Sequence, residues 1–432
     1  MRRRAAALAL AALACPAAAS SAPRWVVVHT WPWTGSADAA AAVLAAGGSA
    51  VDAVVAGATA AERDPAAESV GRGAHPDAAG EVTLDAMVMN GDTARVGAVG
   101  ALRGVANAAQ AALLVLRHSA HLMLVGSQAS DFAVAFGGFP LEPLQSNASD
   151  AAFAAWTTGG CQARTKLLGG RLLRAAHAAP RAPQPNYWLD TAPPAASGCG
   201  PFRPQDAARS LRGGSEASRV AVAKITPAMH DTVSLAALDA GGSMASATST
   251  NGLAFKLPGR VGDGAIAGGG SYSRSGVGAC GATGDGDVMA PFLPCYQVVE
   301  SMRLGMSPQQ AAEDAILRIA ALAPHFTGAL FALRADGKHA GAAYNWVFQY
   351  TVRAQGDDKA RVFTVQPLSN AAVLRHRAQR IGPAPALLGA AFLTGAACAW
   401  ALAEHQRSQE RAAAAASKLA PDCLAAAGST TC

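Results

Sequence analysis

His230-Asp231-Thr232-Val233 stands where a long stretch without periodicity gives way to alternating, β-branched sequence. A threonine there has a specific chemical use. Its hydroxyl is a weak nucleophile, but a free α-amino group on the same residue can act as its base without a distant histidine. An internal Thr232 has no free amine, so the chain would have to be cut between Asp231 and Thr232. Attack of Oγ on the Asp231 carbonyl, followed by hydrolysis of the ester, would do this. Read alone, Thr232 is an ordinary strand residue; its surroundings alter that reading. Thr248-Ser249-Thr250-Asn251-Gly252 ends a following strand and would set Thr250 beside Thr232. Arg260-Val261-Gly262-Asp263 offers a cation and an anion suited to the α-carboxylate and α-ammonium of an amino acid, or an ordinary surface ion pair. Thr283-Gly284-Asp285-Gly286-Asp287 supplies a hydroxyl and backbone N–H groups, the parts of an oxyanion hole, or simply a turn. The Gly-Asp repeats lack the spacing and terminal glutamate of a calcium loop.

The elements that would position these residues are legible in outline. Trp25 to His29 reads as a strand. Ser36 is expected to cap an Ala-rich helix, and a second helix runs from Ser49 to about Glu62. Strands are expected at Asp85–Met89 and His121–Val125, with a helix from Asn107 to His118. Thr232–Asp239, a turn at Ala240-Gly241-Gly242, and Met244–Thr250 read as a β-hairpin. Helices are expected at Met289–Met302 and Ser307–Leu322. Two strands flank the turn at Ala335-Asp336-Gly337, and Arg361–Val365 is the last. Pro180 to Met229 has the turn-rich profile of an exposed linker. The mixture predicts a layered α/β architecture.

Composition is globular, with 51% hydrophobic and 15% charged residues. The net charge of +6 is concentrated in Arg2–Arg4 and in Arg164, Lys166, Arg171, Arg174 and Arg181, so the remainder carries no basic surplus. This argues against a nucleic-acid-binding face. Residues 1–22 have the basic start, apolar middle and small-residue end of a secretory signal; an Ala-rich leader is the alternative. Asn147-Ala148-Ser149 is a glycosylation sequon. Residues 369–432 form a tail. Within it Ile381 to Ala403 is uncharged and long enough to span a bilayer, yet poor in Leu, Ile and Phe. A membrane anchor and a dispensable extension fit it equally.

Together these segments resemble glycosylasparaginase (aspartylglucosaminidase), a branch of the plant-type asparaginase family of N-terminal-nucleophile hydrolases. The likeness runs from about Trp25 to Val365. It is carried by the site segments above and by Thr30-Trp31-Pro32, Gly47 to Val54, Glu62-Arg63, Ser69-Val70-Gly71, Thr83 to Met87, Val96 to Val99 and Gln184 to Trp188. The resemblance implies a four-layer αββα sandwich and self-cleavage into an α subunit (23–231) and a β subunit (232–368). It further implies an (αβ)2 heterotetramer, with no metal or cofactor. Thr232 would be nucleophile and base, with Thr250 tuning it. Arg260, Val261, Gly262 and Asp263 would hold the amino-acid end of the substrate. Thr283 and Gly284 would stabilise the oxyanion, with Asp285 and Gly286 beside them. Trp31 would line the pocket and Ser69 would assist self-cleavage. The implied reaction hydrolyses the amide between N-acetylglucosamine and asparagine in a lysosomal, vacuolar or secreted setting. Isoaspartyl dipeptides or asparagine are the alternative substrates, and a catalytically silent relative is the non-enzyme alternative. Ser234 stands where the family has glycine. Residues 163–183 are a basic interruption, either an insertion or an unspliced intron. Cys161 is expected to pair with Cys199, while Cys280, Cys295, Cys398, Cys423 and Cys432 show no partner.

Overall fold

The computed structural model describes residues 25–65, 67, 69–161, 191–192, 199, 203–204 and 232–380. The leader, residues 163–183, the rest of the linker up to Asp231 and the apolar run 381–403 lie outside them. The chain divides between His376 and Arg377, and of the second unit only Arg377 to Arg380 is described. Among the described residues no helix is long and apolar enough to cross a membrane.

Fourteen strands and nine α-helices follow one another along the described chain. They are β1 (Val26–Thr30), α1 (Thr34–Ala45), α2 (Ala50–Glu62), β2 (Thr83–Asn90), β3 (Val96–Arg103), α3 (Ala108–His118), β4 (Met123–Val125), α4 (Gly126–Gly137) and α5 (Asn147–Thr158). The short strands β5 (Thr191–Ala192) and β6 (Arg203–Pro204) pair with each other. Then come β7 (Val233–Leu238), β8 (Met244–Thr250), β9 (Ser271–Arg274), β10 (Gly278–Gly284), α6 (Gly286–Met289), α7 (Pro294–Arg303) and α8 (Pro308–Leu322). The last elements are β11 (Gly328–Arg334), β12 (His339–Tyr344), β13 (Phe348–Ala354), β14 (Arg361–Val365) and α9 (Asn370–Arg380).

One sheet of eight strands has the order β14-β13-β1-β7-β8-β2-β3-β4, and a second of four strands has the order β12-β11-β10-β9. All pairings are antiparallel except β3 with β4. The sheets face each other through an apolar layer in which Val28, Ala236 and Leu238 meet Ala279, Phe331 and Leu333. Helices α1 to α4 cover the other face of the large sheet through Leu44, Val54, Ala112 and Ala133. Helices α7 and α8 cover the small one through Val298, Ile316 and Ile319. The central strands β1, β7, β8, β10 and β11 therefore have two buried faces, and their alternate residues enter different cores.

The β7–β8 hairpin is fixed by its turn. Asp239 Oδ1 accepts from Gly241 N (3.0 Å) and Ser243 N (3.0 Å), and Gly242 takes φ 87°, where only glycine is unstrained. The expected strands, hairpin and second helix are present, the last capped by Ser49 accepting from Asp52 N at 3.1 Å. Three expectations need correction. Ser36 lies inside α1, which starts at Thr34, and its buried hydroxyl donates to Gly57 O (2.8 Å), tying α1 to α2. The single helix expected at Met289–Met302 is α6, a 3-10 turn at Ala290–Phe292 and α7, because Pro291 and Pro294 cannot continue a helix but suit its first turn. Cys280 and Cys295, for which the sequence showed no partner, are bonded to each other, as are Cys161 and Cys199. A disulfide closing about 15 residues stabilises by about 3 kcal/mol through the unfolded chain. After β14, the first turns of α9 are held within the first unit by Tyr344 Oη, which donates to Asn370 Oδ1 (2.8 Å), and by His376 beside Asp314 (3.0 Å).

Candidate active site

Thr232 lies in the middle of the large sheet, at the mouth of β7 between β1 and β8. The hairpin register pairs Val233 with Ser249, which brings Thr232 opposite Thr250. Thr232 is buried, and its hydroxyl donates to Thr250 Oγ1 at 3.1 Å. Thr250 Oγ1 also accepts from Gly252 N at 2.8 Å, so its position is set by the turn that ends β8. The carbonyl of Thr232 is clamped on the β1 side: Thr30 Oγ1 donates to it at 3.0 Å and Trp31 Nε1 at 3.1 Å. Thr30 Oγ1 in turn accepts from Ser234 N at 2.9 Å. Trp31 has φ 75°, rare for a bulky residue, and rests between the rings of Trp33 and Trp346. Its indole is thus held against the Thr232 backbone.

Ser234 shares the Thr232 face of β7 and points at the second sheet. Its hydroxyl reaches Ala282 O (2.8 Å) and Gly270 O (3.0 Å), so the side chain is fully buried and satisfied. The room for it comes from Gly281: a Cβ there would lie 2.7 Å from Ser234 Cβ. The departure from glycine at Ser234 is accommodated by a glycine on the facing strand, and it ties the nucleophile strand to β10.

Facing Thr232 from β10 is Thr283, fully buried, whose hydroxyl has no hydrogen-bond partner among the described residues. Gly284 ends the strand with φ 134°; a Cβ there would lie 2.5 Å from Gly328 Cα, so no side chain fits. Arg260 sits in a niche of glycines, since a Cβ on Gly252 or Gly262 would lie 2.5 or 2.6 Å from its Nη1. Its guanidinium donates to Asp287 Oδ1 from Nε (3.0 Å) and Nη2 (2.9 Å). It is therefore paired with Asp287, and not with Asp263 three residues on. Asp263 is buried, its Oδ2 lacks a partner among the described residues, and burial pushes its carboxyl up to about 6 against the pull of Arg260. Asp285 is likewise pushed up to about 6 by burial and by the neighbouring Asp287. Gly286 lies against both side chains: a Cβ there would lie 2.4 Å from Asp263 Oδ1 and 3.3 Å from Arg260 Nη2. Val261 packs toward Gly100, and Gly262 N donates to Asp85 Oδ2 at 3.1 Å. Ser69 is buried with its hydroxyl unpartnered, and its carbonyl accepts from Asn251 N at 2.8 Å, next to Thr250. Asp231 lies outside the described residues. Every other expected site residue falls in this one region.

Four supporting residues were not singled out as site residues from sequence. Thr30 arrives only because β1 inserts beside β7. Asp85, opposite Thr250 on β2, also accepts from Ala101 N (2.8 Å) and so anchors the Gly262 turn. Lys256 is fully buried; its Nζ donates to Asn251 O (2.6 Å) and Thr83 O (3.3 Å), and burial lowers its pKa. Glu62, behind β8, accepts from Ser249 Oγ (2.7 Å) and Ala109 N (2.8 Å), and burial pushes its carboxyl up to about 7. Each lies far in sequence from what it supports, except Lys256, whose burial no local pattern signals.

A nucleophile with a hydroxyl neighbour, a hydroxyl donor opposite, and a cation beside a lone carboxylate can hold and cleave the amide of an amino-acid side chain. Comparison with known proteins agrees. A probable isoaspartyl peptidase/L-asparaginase 3 of Arabidopsis thaliana is 42% identical over 349 residues, covering 79% of this chain and 90% of its own. An N(4)-(β-N-acetylglucosaminyl)-L-asparaginase of Rattus norvegicus is 40% identical over 339 residues, covering 78% and 89%. The mouse protein of that name is 38% identical over 345 residues, covering 80% and 91%. The family model described as asparaginase matches residues 12–363, and this chain, an amidohydrolase by descent and by the geometry of its site, belongs to the asparaginase family.

Proposed function

We propose that this chain cleaves itself at Asp231-Thr232 and then hydrolyses the amide between N-acetylglucosamine and asparagine. The observation that carries the reading is the Thr232–Thr250 hydroxyl contact of 3.1 Å at the head of a buried strand, with the unpartnered Thr283 hydroxyl across from it. In the cut chain the Thr232 α-amine would take the Oγ proton as Oγ attacks the side-chain carbonyl of the substrate. The resulting oxyanion would accept from Thr283 Oγ1 and Gly284 N. Collapse expels the amine, which takes the proton from the α-ammonium of Thr232. Water then hydrolyses the aspartyl ester and releases aspartate. Arg260 would bind the free α-carboxylate and Asp263 the α-ammonium throughout. The stacking of helices, sheet, sheet and helices supports the αββα sandwich of N-terminal-nucleophile hydrolases. An (αβ)2 assembly, α and β subunits meeting at residue 232, and a lysosomal or other secretory destination belong to the same proposal. The signal-like leader and two disulfides support that destination.

Isoaspartyl dipeptides are the second reading, favoured by the 42% identity to the plant protein. Both substrates share the aspartyl end, so only the leaving-group side, where Trp31 and Trp33 stack, separates them. The ratio of kcat/KM for glycosyl-asparagine and an isoaspartyl dipeptide decides. A higher value for the dipeptide would assign the chain to the peptidase branch with its mechanism unchanged.

A further inference from the structure

Cys280 and Cys295 are both fully buried and bonded to each other across a sequence separation of 15. Cys280 lies mid-strand in β10, paired with Tyr272 on one side and Ala332 on the other. Cys295 lies in the first turn of α7. The chain enclosed between them contains Thr283, Gly284, Asp285, Gly286 and Asp287. It therefore holds the oxyanion donors, the residue paired with Arg260 and the glycine against Asp263.

Side chains alternate along β10. Ala279, Gly281 and Thr283 face the other sheet and Thr232, whereas Cys280 and Ala282 face the helices. The disulfide thus grips β10 from behind, while the Ser234 hydroxyl grips Ala282 O from the front at 2.8 Å. A third tie joins the same parts. Cys295 N donates to Gly268 O (2.9 Å), Ala282 N donates to Gly270 O (2.8 Å), and Gly270 N donates to Asp263 O (3.0 Å). The crosslink closes a ring around the whole substrate-facing segment.

We propose that the Cys280–Cys295 disulfide is a positioning element of the site, so that full activity requires this pair to be oxidised. This rests on the amidohydrolase reading above. Its formation removes two protons and two electrons from the thiols. A disulfide oxidant such as oxidised glutathione takes them up: one cysteine thiolate forms a mixed disulfide and the other displaces glutathione from it. Once formed, the bond is shielded by its burial, and reduction requires the segment to open first. A crosslink that merely stabilised the fold would alter the melting temperature and leave the kinetics of the folded enzyme unchanged. A positioning crosslink alters both, because small displacements of oxyanion donors are felt in the rate.

The test uses the full chain. Non-reducing peptide mapping should join the Cys280 and Cys295 peptides. In the double variant Cys280→Ala/Cys295→Ala, hydrogen exchange should rise in residues 281–294 more than elsewhere. Its kcat/KM, measured well below melting and per mole of folded enzyme, should fall about tenfold or more. Wild-type protein reduced in mild denaturant and returned to buffer should show the same loss, and oxidised glutathione should restore it. Free thiols at both positions, or unchanged exchange and kcat/KM in the double variant, would overturn the proposal. If the wild type shows the joined peptide and the exchange difference but hydrolyses neither substrate, the tether stands and the amidohydrolase reading falls.

Discussion

On β7 the hydroxyls of Thr232 and Ser234 each have a partner within 3.1 Å, and the Thr232 carbonyl has two donors. Elsewhere around the site Thr283 Oγ1, Asp263 Oδ2 and Ser69 Oγ are buried without a partner among the described residues. An unsatisfied buried polar atom costs about 1–3 kcal/mol. On the proposed function, the difference separates a half already satisfied within the protein from a half that substrate would complete. Thr232 is held by these side-chain bonds with Thr250, Thr30 and Trp31, all within the protein itself. On that reading the unpartnered groups keep polar capacity in reserve for the substrate, at a cost to stability.

The comparison breaks most completely at the nucleophile. Thr232→Ala should leave the chain uncut and lower hydrolysis by at least about 10⁴-fold. Thr232→Cys should still cut, because a thiol can make the same acyl shift. Electrophoresis with N-terminal sequencing of the smaller fragment reads both, and normal processing of the alanine variant would remove Thr232 from this role.

On the unsatisfied side, Arg260→Ala should cost on the order of 2–5 kcal/mol in substrate binding, seen as a raised KM, with self-cleavage intact. Unchanged kinetics would exclude Arg260 from the site. Thr283→Val should lower kcat by about 10²-fold through the lost donor, yet leave melting unchanged or higher because an orphaned hydroxyl is gone. Ser234→Ala is the counterpart on the satisfied side. It should lower stability by about 1 kcal/mol and kcat far less than Thr283→Val does. If the two variants exchanged these signatures, the division into a fixed and a completed half would be wrong.

The smallest effect is that of pH. Glu62 is pushed up to about 7, and Asp263 and Asp285 to about 6. All three bind protons more tightly folded than unfolded, so ligand-free stability should rise as pH falls from about 7 toward the ordinary carboxylate range. Buried His29, pushed down to about 4, opposes this below its ordinary value of 6.5. A melting temperature a few degrees higher at pH 5.5 than at pH 7.5 is expected. Substrate binding should run the other way, with KM rising below about pH 6 as Asp263 loses the charge that pairs with the ammonium. A flat KM across that range would separate Asp263 from the ammonium.

The sequence by itself determined the β7–β8 hairpin, because strand period and turn chemistry are local. Val233 to Leu238, the Asp239–Ser243 turn and Met244 to Thr250 bring Thr250 opposite Thr232 with no help from elsewhere. Arg260, Asp263, Thr283 and Gly284 were legible as chemistry-bearing types at short spacing. Their partners were not. Arg260 pairs with Asp287 because α6, which follows β10, returns to it, and Thr30 reaches the Thr232 carbonyl because β1 inserts between β13 and β7. The glycine at 281 that admits Ser234 belongs to the opposite sheet. Cys280 and Cys295 meet because a proline-interrupted helix turns back over its own strand. Each of these depends on sheet order and layer stacking. Those are set by burial summed over the whole chain, which no short window of residues contains.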